Sequence, residues 1–156
     1  MRIMLKFVLD CEPDAAWRAL RSPDVFRAVA GPWMTFESLE PNGFPTLWPV
    51  GPHPVRAKAL GLIDVGEQNI DISFAEAPGD VRLVRDFGGG TSGPLAAVTT
   101  WRHTMAVAPA LNGRTLYRDQ LIVGAGPLTL PVWFGMWLFW QWRGLRIRQL
   151  SRSWRA

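Results

Sequence analysis

Cysteine occurs once, at Cys11, so no internal disulfide can form and a reducing cytoplasm is the expected setting. Histidine occurs twice, at His53 and His103. A zinc site usually takes three or four protein ligands, so neither a metal nor any other cofactor is expected. Residues 3–9 are apolar but broken by Lys6, and they are too short for a signal peptide. Asp10 directly before Cys11, with no longer apolar segment upstream, argues against a lipoprotein site. Acidic residues stop at Asp119, and only Lys6 and Lys58 among the 17 basic residues are lysine. Internal repeats and long linkers are missing too, so residues 1–156 are expected to form a single domain.

What the chain does have is apolar side chains. They make up 48% of it against 19% charged, which is globular composition and not disorder. The net charge of +4 gathers at the C-terminal end, in Arg143, Arg146, Arg148, Arg152 and Arg155. Such a tail can meet nucleic acid or anionic lipid, but a solvated helix end explains it without either, and no nucleic-acid partner is expected.

Residues 124–142 carry no charge and include Trp133, Trp137, Trp140 and Trp142. A membrane span needs about 20 apolar residues. Here Pro127 and Pro131 push the helix start to 129–132 and leave too short an apolar run, because proline suits a helix only in its first turn. A core helix over about 130–154, or one lying in a membrane interface, fits better. Trp133, Trp137, Trp140, Gly144, Ile147, Ser151 and Trp154 recur at steps of four and three, the mark of a buried stripe.

Upstream, residues 2–9 read as a strand, 15–20 and 25–30 as short helices opened by prolines and the cap Ser22, and 34–40 as a strand. A proline-rich loop is expected at 41–54. Strands follow at about 55–63, 66–76, 81–87, 96–108 and 113–124, parted by glycine, proline and aspartate turns. The order predicts an α+β fold: a seven-stranded curved antiparallel sheet, two short helices after the first strand and one long C-terminal helix across the apolar face.

Alternation in the last hairpin places His103, Met105, Trp101, Tyr117, Asp119 and Leu121 on the inward face. Closing the turn so that Val107 meets Thr115 sets His103 opposite Asp119. A two-residue slip leaves them diagonal, still about 7–8 Å apart. A His–Asp pair is either a buried structural contact or an acid/base pair in which Asp119 fixes the tautomer of His103. In 81–87, Val81, Leu83, Arg85 and Phe87 share one face; if it is the inner one, Arg85 is an inward cation. In 66–76, Ile70, Ile72 and Phe74 are expected to point inward. The cluster Gly88-Gly89-Gly90-Thr91-Ser92-Gly93 lacks the following lysine and helix of a phosphate loop and reads as a flexible lip.

The element order resembles the helix-grip fold of the START and birch-pollen-allergen superfamily, SRPBCC, over the whole chain. The segments Glu12-Pro13-Asp14-Ala15-Ala16-Trp17, Thr100-Trp101-Arg102-His103 and the helix from Trp133 to Leu150 look like those of bacterial polyketide-cyclase-like members. The resemblance implies a deep cavity between sheet and long helix for lipids, sterols, polyketides or other apolar molecules. In plant members a glycine-rich loop joins the second and third strands. Here the glycines fall between the fifth and sixth, so that loop's role is not carried over. The expected function is binding of a small hydrophobic, ring-containing ligand walled by Trp101, Met105, Tyr117, Leu121, Trp133, Trp137 and Trp140, with His103, Asp119 and an inward Arg85 orienting it. A cyclase/dehydratase using His103 and Asp119 is the alternative, and weak contact with anionic membranes through the C-terminal helix a second one. Monomer and homodimer are both compatible with the sequence.

Overall fold

The computed structural model describes residues 1–155. Strand β1 (Arg2–Leu9) leads into helices α1 (Pro13–Leu20) and α2 (Pro23–Ala30). Each helix opens on proline with an aspartate in its first turn, where a missing N–H is harmless and a negative charge favourable. The Ser22 hydroxyl caps α2 by accepting the Val25 N–H at 3.3 Å. Strands β2 (Met34–Ser38), β3 (Gly51–Ala59), β4 (Ile63–Ala77), β5 (Val81–Asp86), β6 (Gly89–Gly90), β7 (Thr100–Pro109) and β8 (Thr115–Gly124) follow, and α3 (Thr129–Ser151) closes the chain.

The seven longer strands form one antiparallel sheet in the order β1-β8-β7-β5-β4-β3-β2, with the two-residue β6 paired to β4. This is the α+β helix-grip arrangement expected from the order of elements. The curved sheet receives α3 over β1 and β8 and the short helices beside it. Gly144 sets the approach of α3 to β1, because a Cβ there would lie 3.2 Å from the Leu5 side chain. Pro131 sits in the first turn of α3, where its absent N–H is not missed. No described helix is long and apolar enough to cross a membrane.

Several features differ from expectation, among them the turn between β3 and β4, which lies at 60–62. β3 begins at Gly51, not 55, and so contains Pro52 and Pro54. Residues 51–54 pair with β4 but lie beyond the β2 ladder, which starts at Val55, so the missing proline donors break no β2–β3 pairing. Residues 93–97 form a 3-10 turn in place of the first turn of the expected sixth strand. The glycine segment borders the cavity at Gly90 and is closely packed at Gly88, Gly90 and Gly93. A Cβ at Gly88 would fall 1.9 Å from the Asn69 carbonyl oxygen, and one at Gly90 2.1 Å from that of Leu95. These glycines let two backbones touch.

The core is continuous with the site. Val55, Ile70, Ile72, Val84, Val107 and Tyr117 from the sheet meet Ile147 of α3 and Val29 of α2. A smaller group, Ile3, Leu121, Val123 and Trp140, fixes the N-terminal half of α3 on β1 and β8.

Candidate functional site

The β7–β8 hairpin turns through Asn112 and Gly113, both left-handed, and the Ala110 N–H donates to the Arg114 carbonyl at 2.8 Å. Pro109 pairs with Thr115 as the last rung of the ladder. The register therefore lies two residues from the expected closure, through a tighter turn, and His103 faces Leu121 while Met105 faces Asp119. A strand-ending proline is allowed because no further rung needs its donor. His103 and Asp119 sit diagonally, on the same inward face, and still meet: Nε2 of His103 lies 2.8 Å from Oδ1 of Asp119.

Asp119 is 1% exposed. Its Oδ1 also accepts from Nε1 of Trp140 at 3.0 Å. Its Oδ2 accepts from the Tyr117 hydroxyl at 2.6 Å and from Nε of Arg143 at 2.9 Å. A carboxylate has about four acceptor sites, and here all are used. Burial by itself would raise its pKa. The charges of His103 and Arg143, with hydrogen bonds from His103 and Tyr117, outweigh burial and hold the carboxyl far below its usual range. Burial likewise opposes the Arg143 charge, but Asp119 prevails and keeps the guanidinium ionised. Burial, then Asp119, pushes the Tyr117 hydroxyl well above its ordinary value, so it remains a donor.

In front of this cluster lies a cavity of about 510 Å³ between α2, β2, the sheet and α3. Phe26, Phe36, Trp101, Met136, Phe139 and Trp140 supply much of its wall. Trp33, Leu138 and Leu145 also line it and are each more than half exposed, so they mark its mouth. His103, Asp86 and Arg143 border both this cavity and a chamber of about 40 Å³ behind it, which Met105 lines as well.

Of the residues singled out in the sequence, Trp101, His103 and Trp140 line the main cavity and Met105 the small chamber. Asp119, Tyr117 and Leu121 are sealed behind them. Trp133 is turned toward β1, where its indole N–H donates to the Arg2 carbonyl at 3.1 Å. Trp137 is 38% exposed and stacks on Phe134 on the outer side of α3. The inward stripe runs through Trp140, Arg143, Gly144, Ile147 and Ser151, so Trp137 falls off it.

Arg85 is corrected: it lies on the outer face of β5, whose inner face carries Val84 and Asp86. Counting apolar residues favoured the other face, because Val81, Leu83 and Phe87 share parity with Arg85. Phe87 is in fact 42% exposed and lies under the Arg102 guanidinium. Asp86 tolerates burial because the Asp71 and Gly88 N–H groups donate to its Oδ1 and the Trp101 indole to its Oδ2. Burial raises its carboxyl, against the opposing influence of His103 and those donors.

Asp86 and Arg143 are the charged site residues that sequence reasoning did not single out, and Phe26, Phe36, Met136 and Phe139 are missed wall residues. Arg143 carried a usable signal: it stands three residues after Trp140 and four before Ile147, on the apolar stripe. Its position at the head of a basic run disguised it. His53, the other histidine, is occupied elsewhere, with Nδ1 2.8 Å from Glu40 and Nε2 3.0 Å from the Pro49 carbonyl.

No protein-family model and no curated protein matches the sequence. Solved structures match nearly its whole length. A Chromobacterium violaceum protein is 20% identical with a TM-score of 0.61, covering 96% of each chain. A hypothetical protein of Helicobacter pylori is 11% identical with a TM-score of 0.70, over 97% of this chain and 88% of that one. Norcoclaurine synthase of Thalictrum flavum, in complex with dopamine and hydroxybenzaldehyde, is 12% identical with a TM-score of 0.64, over 100% of this chain and 88% of its own. The shared feature is the helix-grip fold.

Replacing Asp119 by Asn should remove about 3–5 kcal/mol of stability, the usual cost of orphaning one side of a buried ion pair. Because the folded carboxyl is depressed, its contribution is present above the unfolded value of about 3.9 and fades as pH falls below it. Urea unfolding between pH 7 and pH 3 should show wild-type stability falling in acid, with the gap to Asp119→Asn narrowing. A constant gap contradicts the assignment.

Proposed function

We propose that the protein binds a small hydrophobic, ring-containing molecule between the sheet and α3, in a cytoplasmic setting. The observation that carries this reading is the cavity itself. Its volume of about 510 Å³ falls in the range typical of small-molecule sites, about 300–1,000 Å³. Its wall is largely aromatic, suited to stacking on rings, and its few polar groups converge on one side. The norcoclaurine synthase structure, which holds two ring compounds in the same fold, supports the reading. Lipid-like and polyketide-like molecules are the classes that fit such a space.

Gly135 gives a clean test. It lines the cavity, and a Cβ built on it meets nothing within 4 Å. Gly135→Phe should reduce binding of the neutral fluorescent probe N-phenyl-1-naphthylamine at least about tenfold, since a bulky side chain removes ligand volume. Melting temperature should not fall, because glycine is already unfavourable inside a helix. Undiminished probe binding in that variant places the ligand elsewhere.

A second reading makes the same cavity a polyketide-cyclase-like active site. The observation favouring it is that Nε2 of His103 is held by Asp119, while Nδ1 has no partner among the described residues and His103 borders the cavity. A histidine so oriented can move a proton on a substrate oxygen or carbon. On this reading His103→Ala should lower cyclisation or dehydration of a poly-β-ketone substrate by about 10²–10⁴-fold. Unchanged turnover leaves binding as the whole function.

Peripheral contact with anionic membranes is favoured by the outer side of α3. Leu130, Phe134, Leu138 and Leu145 are each more than half exposed there, and Arg148 and Arg152 follow. This version requires sedimentation with phosphatidylserine vesicles that added salt reverses, and protein left in the supernatant at low salt removes it.

A further inference from the structure

Arg143 is an arginine inside an apolar site, 7% exposed, and its donors are not all used. Nε donates to Asp119 and Nη2 to the Met105 sulfur. Nη1 has no hydrogen-bond partner of good geometry among the described residues, although the Tyr117 hydroxyl lies close to the guanidinium, and Nη1 is not sealed away in the core. Asp119 cannot serve it, because both carboxylate oxygens already accept two hydrogen bonds each. A guanidinium is rarely left with an idle face in a low-dielectric pocket, and the group that suits it is a planar oxyanion.

The neighbouring polar atoms narrow the choice. Nδ1 of His103 is also without a protein partner and belongs to the same border between the cavity and the small chamber. Asp86, opposite His103 in the β5–β7 ladder, has its oxygens occupied by two backbone N–H groups and the Trp101 indole. It offers a cationic ligand little, and its burial favours the uncharged form. The free groups beside Asp119 are thus a charged donor and a ring nitrogen able to take a proton, and the cavity wall adds the uncharged amide of Gln68.

Resting on the cavity reading above, we infer that the ligand carries a carboxyl group, seated against Arg143 Nη1 and His103 Nδ1, with its ring or chain among the aromatic walls. One carboxyl oxygen accepts from Nη1. The other faces Nδ1, and a single proton lies between them, on the oxygen or on the nitrogen, so no charge is left unpaired. A primary amine would bring a second cation beside Arg143. An alcohol lacks the delocalised charge that strengthens the guanidinium contact.

Three probes of one shape test this: 1-naphthylacetate, 2-(1-naphthyl)ethanol and 2-(1-naphthyl)ethylamine, each displacing N-phenyl-1-naphthylamine from the full chain at neutral pH. The acid should compete at least about tenfold better than the alcohol and better still than the amine. In Arg143→Met the ratio of acid to alcohol competition, read within that variant, should fall to about one. Should that variant fail to fold, the wild-type ranking decides alone, and the carboxyl signal of 13C-labelled naphthylacetate should shift on binding to wild type. Equal competition by acid and alcohol, or a preference for the amine, overturns the carboxyl inference and leaves the cavity reading standing. If neither the neutral probe nor any of the three binds, the cavity reading fails and this inference with it.

Discussion

Asp119 accepts hydrogen bonds from His103 on β7, Tyr117 on its own strand, and Trp140 and Arg143 on α3. Three successive elements, β7, β8 and α3, therefore converge on one buried carboxylate. Its charge is tolerable only because every acceptor site is filled and a guanidinium lies beside it. Sliding α3 along the sheet by one turn would leave Asp119 without two donors and Arg143 without its anion. Apolar packing alone would resist such a slide less sharply, because hydrophobic contact is not directional. The carboxylate sets the position of α3, and that position sets the shape of the cavity.

The polar cluster and the cavity have different physical tasks. Asp119, Tyr117 and Leu121 stand behind the wall and hold it. His103 and Arg143 reach through it, each with one nitrogen engaged by Asp119 and another left over. This division explains how charged groups can sit in a site whose walls are mostly aromatic. The anchoring bonds fix both side chains in place and keep the Arg143 guanidinium ionised, and the remaining nitrogens keep their hydrogen-bonding capacity for whatever enters. Glycine acts at both ends of the same design, Gly144 letting α3 approach β1 and the Gly88–Gly90 segment letting two backbones meet beside the cavity.

Much of the fold was legible because it rests on local signals. Prolines opened α1 and α2, the 3.6-residue period marked α3, and turn residues separated the strands. The His103–Asp119 contact was legible because alternation places both on one face whichever register the hairpin takes. The misread residues share one cause. A short strand such as β5 has two faces of similar composition, and only pairing with β4 and β7 reveals that Val84 and Asp86 are inside and Arg85 outside. Trp137 and Arg143 differ from Trp140 by three positions in opposite directions. A modest rotation of the helix decides which of them is buried.

The amino-acid order by itself determined the class of fold, the element sequence and the inward faces of the last hairpin, since these follow from periodicity, turn chemistry and the limits on proline. Tertiary structure decided which side of β5 is buried, which part of the tryptophan stripe meets the sheet, and that an arginine from an apparently solvated basic tail is the cation beside Asp119. Those outcomes depend on where separate elements dock. Docking is set by contacts between elements, above all those from Trp140 and Arg143 on α3 to the Asp119 carboxylate, which the periodicity of neither element alone specifies.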